Sequence, residues 1–245
     1  MIRKVVIYFL FLIVLSGIKV YSQQAATVSL IGGYTFPLGF LYQKFGDSSN
    51  AIAPLTDKYY YLTYGYSYGV MFKEGIGKKR NIRITGTLNF TVMGQSKDYT
   101  HPDLVSIKLR QSFLSLGVGA EWNLAPKRTM LNPFVGGEFD INLFGGSYQQ
   151  IFASTTNTYN LSSTVRGGIS FGGGIDFQFH QQIGALIGVK YYMANLIGKN
   201  TTGASGTNYG LDDGTHMDPT TNIPYPSRSI NVFQIYGGFS YYFGK

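Results

Sequence analysis

The chain has no cysteine. That excludes disulfides, thiolate metal sites, a cysteine nucleophile and a lipoprotein anchor, so in an exported protein stability has to come from the sheet itself. Charge is scarce as well: charged residues are 13% of the chain, about half the usual share. Past residue 23 no apolar run reaches the ~20 residues that a membrane-spanning helix needs. Histidine is nearly absent, with only His101, His180 and His216, and each falls in a turn or loop pattern, where a solvated side chain is the ordinary outcome. The triple glycine Gly172–Gly174 follows no dinucleotide-binding plan. It interrupts a strand pattern, where glycine relieves crowding or bends the strand.

What is abundant points to strands. The 245 residues include 20 Tyr, 18 Phe and 32 Gly. At the N-terminus, Arg3 and Lys4 precede an apolar stretch from Val5 to Leu15, and Val20-Tyr21-Ser22 offers a cleavage site before Gln23. That is the plan of a secretory signal peptide. The expected organisation is therefore a cleaved signal over 1–22 and one domain over 23–245. Loss of Arg3, Lys4 and Lys19 lowers the formal charge from +8 to +5, too mild an excess to argue for nucleic acid.

Apolar residues recur with period two along the chain. Leu62 to Phe72, Ile82 to Val92, Leu114 to Leu124, Val135 to Leu143, Val165 to Phe179, Ala185 to Met193 and Phe233 to Phe243 each put large apolar side chains on one parity. With a less regular segment from Val28 to Phe36, this predicts eight strands. Every charge within them, Arg83, Glu121, Glu138, Asp140, Arg166, Asp176 and Lys190, sits on the other parity, among Gly, Ser, Thr and Asn. A water-facing sheet surface would be rich in Lys and Glu. A parity of small residues and mixed charges suits the crowded interior of a small closed barrel, where buried charges pair. The apolar parity then faces lipid, where a Lys or Arg costs roughly 2–4 kcal/mol at mid-bilayer. The expected fold is all-β: a closed antiparallel transmembrane barrel of eight strands in an up-and-down meander.

Connections alternate. "KEGIGKKR", "APKRTML" and "HQQ" are short; Pro37 to Tyr59, Gly94 to Val105, Gly145 to Ser163 and Ile197 to Arg228 read as long loops. Outer-membrane barrels combine short periplasmic turns with long outer loops, so both termini are expected in the periplasm. Tyr59 to Tyr61 and Tyr191 to Tyr192 are candidates for aromatic girdles. The last segment, "YGGFSYYFGK", resembles the C-terminal assembly signal of bacterial outer-membrane barrels in Tyr236, Gly238, Tyr241 and Phe243, departing from it in the trailing Gly244-Lys245. With "GGGIDFQF", "IGVKYYM" and the signal, the mature chain resembles the small eight-stranded outer-membrane barrels of the OmpA/OmpX type, in the PorT-like style of Bacteroidota.

The resemblance implies a non-enzymatic protein without cofactors, meeting outer-membrane lipid, lipopolysaccharide, the barrel assembly machinery and an extracellular partner through its loops. A narrow solute channel, a type IX secretion accessory and a membrane-embedded lipid-modifying enzyme are the alternatives. The last loop, rich in Gly, Thr, Asn and Pro, is expected to be weakly ordered. Its Asp212, Asp213 and Asp218 are weak candidates for holding Ca²⁺ through oxygen. Lys108 and Arg110 fall at the outer rim of the fourth strand, where basic side chains can meet lipopolysaccharide phosphates.

Overall fold

The computed structural model describes residues 26–42, 44, 60–76, 81–99, 104–125, 130–201, 208–217, 224–225 and 227–243. The signal segment, His101, Asp218, Gly244 and Lys245 lie outside them. Eight long strands carry the fold: β1 (Thr27–Leu38), β2 (Tyr64–Ile76), β3 (Ile82–Asp98), β4 (Leu104–Asn123), β5 (Leu131–Phe152), β6 (Thr156–Gln178), β7 (Ile183–Ile197) and β8 (Asn231–Tyr242). Each pairs antiparallel with the next in chain order, and β8 returns to β1 with Ser29 opposite Ser240 and Phe36 opposite Phe233. The sheet is a closed eight-stranded meander, so no backbone edge is left open around the ring.

Alternation places the outward set as the period predicts. Phe139, Phe239 and Leu30 are 78%, 77% and 65% exposed. Ile141, Val165, Ile187, Trp122 and Tyr241 also face out. Aromatics align across the strands: Phe36 opposes Phe233, Phe233 opposes Tyr191, and Tyr191 opposes Phe171. Such an unbroken apolar exterior far exceeds the few hundred Å² that soluble monomers expose.

The strands do more than cross one band. β5 and β6 run for 22 and 23 residues, about twice the 9–11 that a bilayer crossing takes. Partway up, the two faces exchange character. On β4 the inward set changes from Glu121, Gly117 and Ser115 to Phe113, Leu109 and Ile107, all buried, while the outward set changes from Trp122 and Val118 to exposed Arg110 and Lys108. On β5 inward Glu138, Asp140 and Asn142 give way to Phe144 and Tyr148, and outward Phe139 and Ile141 give way to Ser147 and Gln149. Parity is unbroken through the switch on these two strands, whereas a bulge on β6 shifts its buried parity from Arg166 to Leu161. The surroundings change from apolar to aqueous along one strand.

Above the switch the barrel is filled like a soluble domain. Phe113, Phe144, Tyr148, Leu161 and Val232 form one apolar core with Leu41, Tyr60, Tyr61, Leu62, Leu211 and Ile230, which come from the connections β1–β2 and β7–β8. Burying each such side chain contributes about 1.5–3 kcal/mol relative to exposure. Tyr61 and Asp212 take left-handed backbone, with φ of 54° and 47°, where the two connections turn inward.

Several expectations are corrected here. Gly94 to Val105 and Gly145 to Ser163 are not long loops. They are largely the continuing strands of two tall hairpins, the second turning at Ala153–Thr155; the period-two signal faded because the faces exchanged polarity. The last connection is packed where it is described, with Leu211 and Asp213 at 1% and 0% exposure. Its stretches Asn208–Tyr209 and His216–Met217 bridge to β6 and to Pro224–Tyr225. Tyr60, Tyr61 and Tyr192 are buried rather than girdle residues, because aromatic composition alone does not tell inside from outside; Tyr59 lies outside the described residues.

A tiered lumen as the candidate functional site

Polar side chains inside the ring fall into three tiers. The lowest joins Lys73, Arg83, Glu121 and Asp176. Lys73 Nζ lies 3.2 Å from Glu121 Oε2 and 3.1 Å from Asp176 Oδ1, and Arg83 pairs with Asp176 at 2.8 Å and with Glu121. Lys73 Nζ also sits 3.7 Å over the Phe134 ring. The middle tier holds Lys190 against Glu138 at 2.5 Å, with Thr87 donating to Glu138 Oε1 at 2.8 Å and Asp140 close by. The uppermost joins Arg166 to Asp213 at 2.8 Å, and Asn195 donates to the same carboxylate at 2.8 Å. There Arg228 stands 3.6 Å from Asp212 Oδ2 and donates to the carbonyls of Leu211 and Asp212.

The glycines make room for these layers. Gly174 and Gly188 oppose one another on β6 and β7. A Cβ on Gly174 would lie 2.9 Å from the Phe134 ring, and one on Gly188 would lie 2.6 Å from the Tyr236 hydroxyl. Two rings therefore fill the lumen through notches in the wall, which accounts for Gly174 of the triple glycine. Tyr236 also packs with Ile31, Met71 and Leu186. Beside them a cavity of about 20 Å³, bordered by Thr85, Glu121, Glu138 and Lys190, has room for about one water. Among the described residues, the ion pairs and the two rings occupy the lumen at each tier.

Arg83, Glu121 and Asp176 thus share the lowest tier, Glu138, Asp140 and Lys190 the middle one, and Arg166 stands apart with the loop. Of the Ca²⁺ candidates, Asp212 and Asp213 are engaged by Arg228 and Arg166, and Asp218 lies outside the described residues. Among the described residues no group of three His, Cys, Asp or Glu side chains converges. His180 is exposed in a turn. Of the terminal segment, Tyr236 points into the lumen and Tyr241 and Phe243 point out, with ring centroids 4.9 Å apart. The Phe243 amide donates to the Ala26 carbonyl at 2.8 Å, and Gly238 faces Ile31 across the β1–β8 seam.

Sequence reasoning missed Lys73, Asn195 and Arg228. Lys73 was legible: it follows Phe72 and shares the parity of Met71, but lies in "KEGIGKKR", which reads as a turn. Asn195 and Arg228 lie at a strand end and in a loop, where no period marks them.

The upper tier acts as a latch. Burial pushes the Asp213 carboxyl up, but the hydrogen bonds from Arg166, Asn195 and the Asn200 amide outweigh it and hold the group below its ordinary 3.8. A lowered folded value stabilises the latch above the unfolded value and loses that stabilisation as pH falls through the folded one. The stretch 208–217 should therefore resist pepsin at pH above 3.8 and become cleavable only below it. Asp213→Ala should be cleaved in both ranges. A wild-type loop cut equally at both would refute the latch.

No protein-family model matches the chain, and no curated protein matches it. Among solved structures it is similar to the Neisserial surface protein A, at 10% identity over 89% of this chain and 97% of that one, with a TM-score of 0.47. It is also similar to the outer membrane protein OprG from Pseudomonas aeruginosa, at 11% identity over 93% and 100%, with a TM-score of 0.46. CarO from Acinetobacter baumannii is similar at 9% identity over 90% and 98%, with a TM-score of 0.38.

Proposed function

We propose that the chain is an integral protein of the bacterial outer membrane, non-enzymatic and closed, whose surface role is carried by the tall hairpins above the lipid. The exchange of face polarity along β4 and β5 carries this reading. Below it the exterior is apolar and the interior holds paired charges, as lipid requires. Above it the same strands enclose an apolar core and turn Lys108, Arg110, Ser147 and Gln149 to solvent. The short connections and both described chain ends share the opposite end of the ring, which supports reading that end as the periplasmic one. Exterior lipid and lipopolysaccharide, the assembly machinery acting on β8, and an extracellular partner at the mouth are the partners that follow. A PorT-like secretion accessory is one form such a role can take. A channel is disfavoured by a lumen blocked at every tier.

The absence of native cysteine permits a background-free test. Ser154→Cys at the hairpin tip should react with a membrane-impermeant maleimide on intact cells. Gln181→Cys, in the β6–β7 turn, should react only after permeabilisation. The reverse pattern would invert the orientation, and labelling of both in a soluble fraction would remove the membrane reading. The purified protein in a planar bilayer should give no stable large conductance; nanosiemens steps would restore the channel.

A further inference from the structure

The lowest and uppermost tiers of the lumen are electrically balanced, two cations against two carboxylates in each. The middle tier is not. Among the described residues it sets Lys190 against both Glu138 and Asp140, and Lys190 is bonded to Glu138. Asp140 is 3% exposed. Its Oδ1 takes one long hydrogen bond, 3.4 Å from Ser115 Oγ, and its Oδ2 has no partner. A buried carboxylate left in this condition is heavily penalised unless something neutralises it.

Two further buried oxygens on the walls of this tier lack a hydrogen-bond partner. Ser170 Oγ interacts with the same carboxylate and helps to hold its charge, yet it makes no well-aligned hydrogen bond to it. Asn142, two residues along the same face of β5, donates its Nδ2 to the Ala194 carbonyl at 2.8 Å, which fixes the amide and leaves Oδ1 unpartnered. Ser170 and Asn142 are both fully buried. On β4 the facing position is Gly117, where a Cβ would lie 2.6 Å from both Asp140 Oδ1 and Glu138 Oε2. The bare backbone leaves room for both carboxylates against β4.

We propose that the middle tier binds one alkali cation of the sodium class, held by the Asp140 carboxylate with Ser170 Oγ and Asn142 Oδ1. The donor set is all oxygen, which selects a hard cation. One negative charge is in excess, so a single positive charge restores balance and a divalent ion overshoots it. Water alone would satisfy the oxygens and leave the charge. The site is an internal counter-ion position and goes beyond the surface role proposed above.

The test refolds the purified full chain into detergent micelles in sodium chloride or in N-methyl-D-glucamine chloride of equal concentration at neutral pH. The midpoint of thermal loss of the compact electrophoretic form is then compared. The wild type should melt several degrees higher in sodium, with a gain that grows with the logarithm of its concentration, as linkage requires. Asp140→Asn should melt alike in both salts, and no lower than the wild type does in the organic salt. Equal wild-type midpoints in both salts would overturn the proposal and leave a proton as the neutralising charge. A sodium gain that survives Asp140→Asn would overturn it too. Should Asp140→Asn not fold, Ser170→Ala decides: a reduced sodium gain supports the site, and an undiminished one rejects it.

Discussion

Phe139→Arg should abolish assembly of the barrel in lipid, while Ser147→Arg, on the same strand and the same outward face, should leave it intact. Phe139 is 78% exposed and lies within the apolar stretch of β5, flanked outward by Val135 and Ile141. In hydrocarbon an arginine there costs about 2–4 kcal/mol, a large part of the margin by which a small domain is stable. Ser147 is four outward positions higher, past the exchange of polarity, where its side chain meets water. In a soluble β-barrel the first substitution would replace an exposed phenylalanine by an exposed arginine and would be neutral or favourable. The measurement is the folded fraction after dilution from urea into liposomes, read as the compact band of unheated samples. Equal folding of Phe139→Arg and wild type would mean that the apolar exterior does not face lipid.

Much of this architecture was legible because one physical rule acts on every strand. Side chains alternate, so a wall between two environments writes both into the sequence with period two. Closure was legible from the last segment: Phe239, Tyr241 and Phe243 needed an apolar surround, and Tyr236 and Ser240 between them an interior one. The upper half was not legible as strand, since Phe113 and Leu109 face inward where Ser115 and Glu121 do, and a stretch that inverts its polarity looks patternless. The loop plug was hidden for a different reason. Leu211 is a single apolar residue among polar ones and carries no period, Leu41 lies in a short apolar stretch that marks no face, and Leu62 falls on the parity read as outward but is buried. Of the tiers, parity marked which charges face in but not which of them meet. That depends on register, which puts Arg83 opposite Glu121 across β3 and β4 and brings Lys73 from β2 to Asp176 on β6 across the lumen.

Lys73 makes the strongest case for a charge acting on the interior. It is 1% exposed, is bonded to Glu121 and Asp176, and covers the face of Phe134. Lys73→Met should leave two buried carboxylates sharing Arg83 alone. Breaking a buried ion pair from one side costs about 3–5 kcal/mol, because the partner stays charged and dry. Replacing the group and its counter-charge together is a smaller perturbation. Lys73→Met with Asp176→Asn keeps the volume, keeps Arg83 against Glu121, and leaves no net charge behind. The double variant should therefore recover most of what Lys73→Met alone loses, whereas Asp176→Asn alone should leave the tier with a cation in excess. Urea unfolding midpoints in micelles for the wild type, each single variant and the double variant give the coupling directly. A double variant no more stable than the sum of its parts predicts would mean that these side chains fill the lumen without holding one another. The closed interior would then owe its stability to the apolar mouth and to the rings of Phe134 and Tyr236 seated over Gly174 and Gly188.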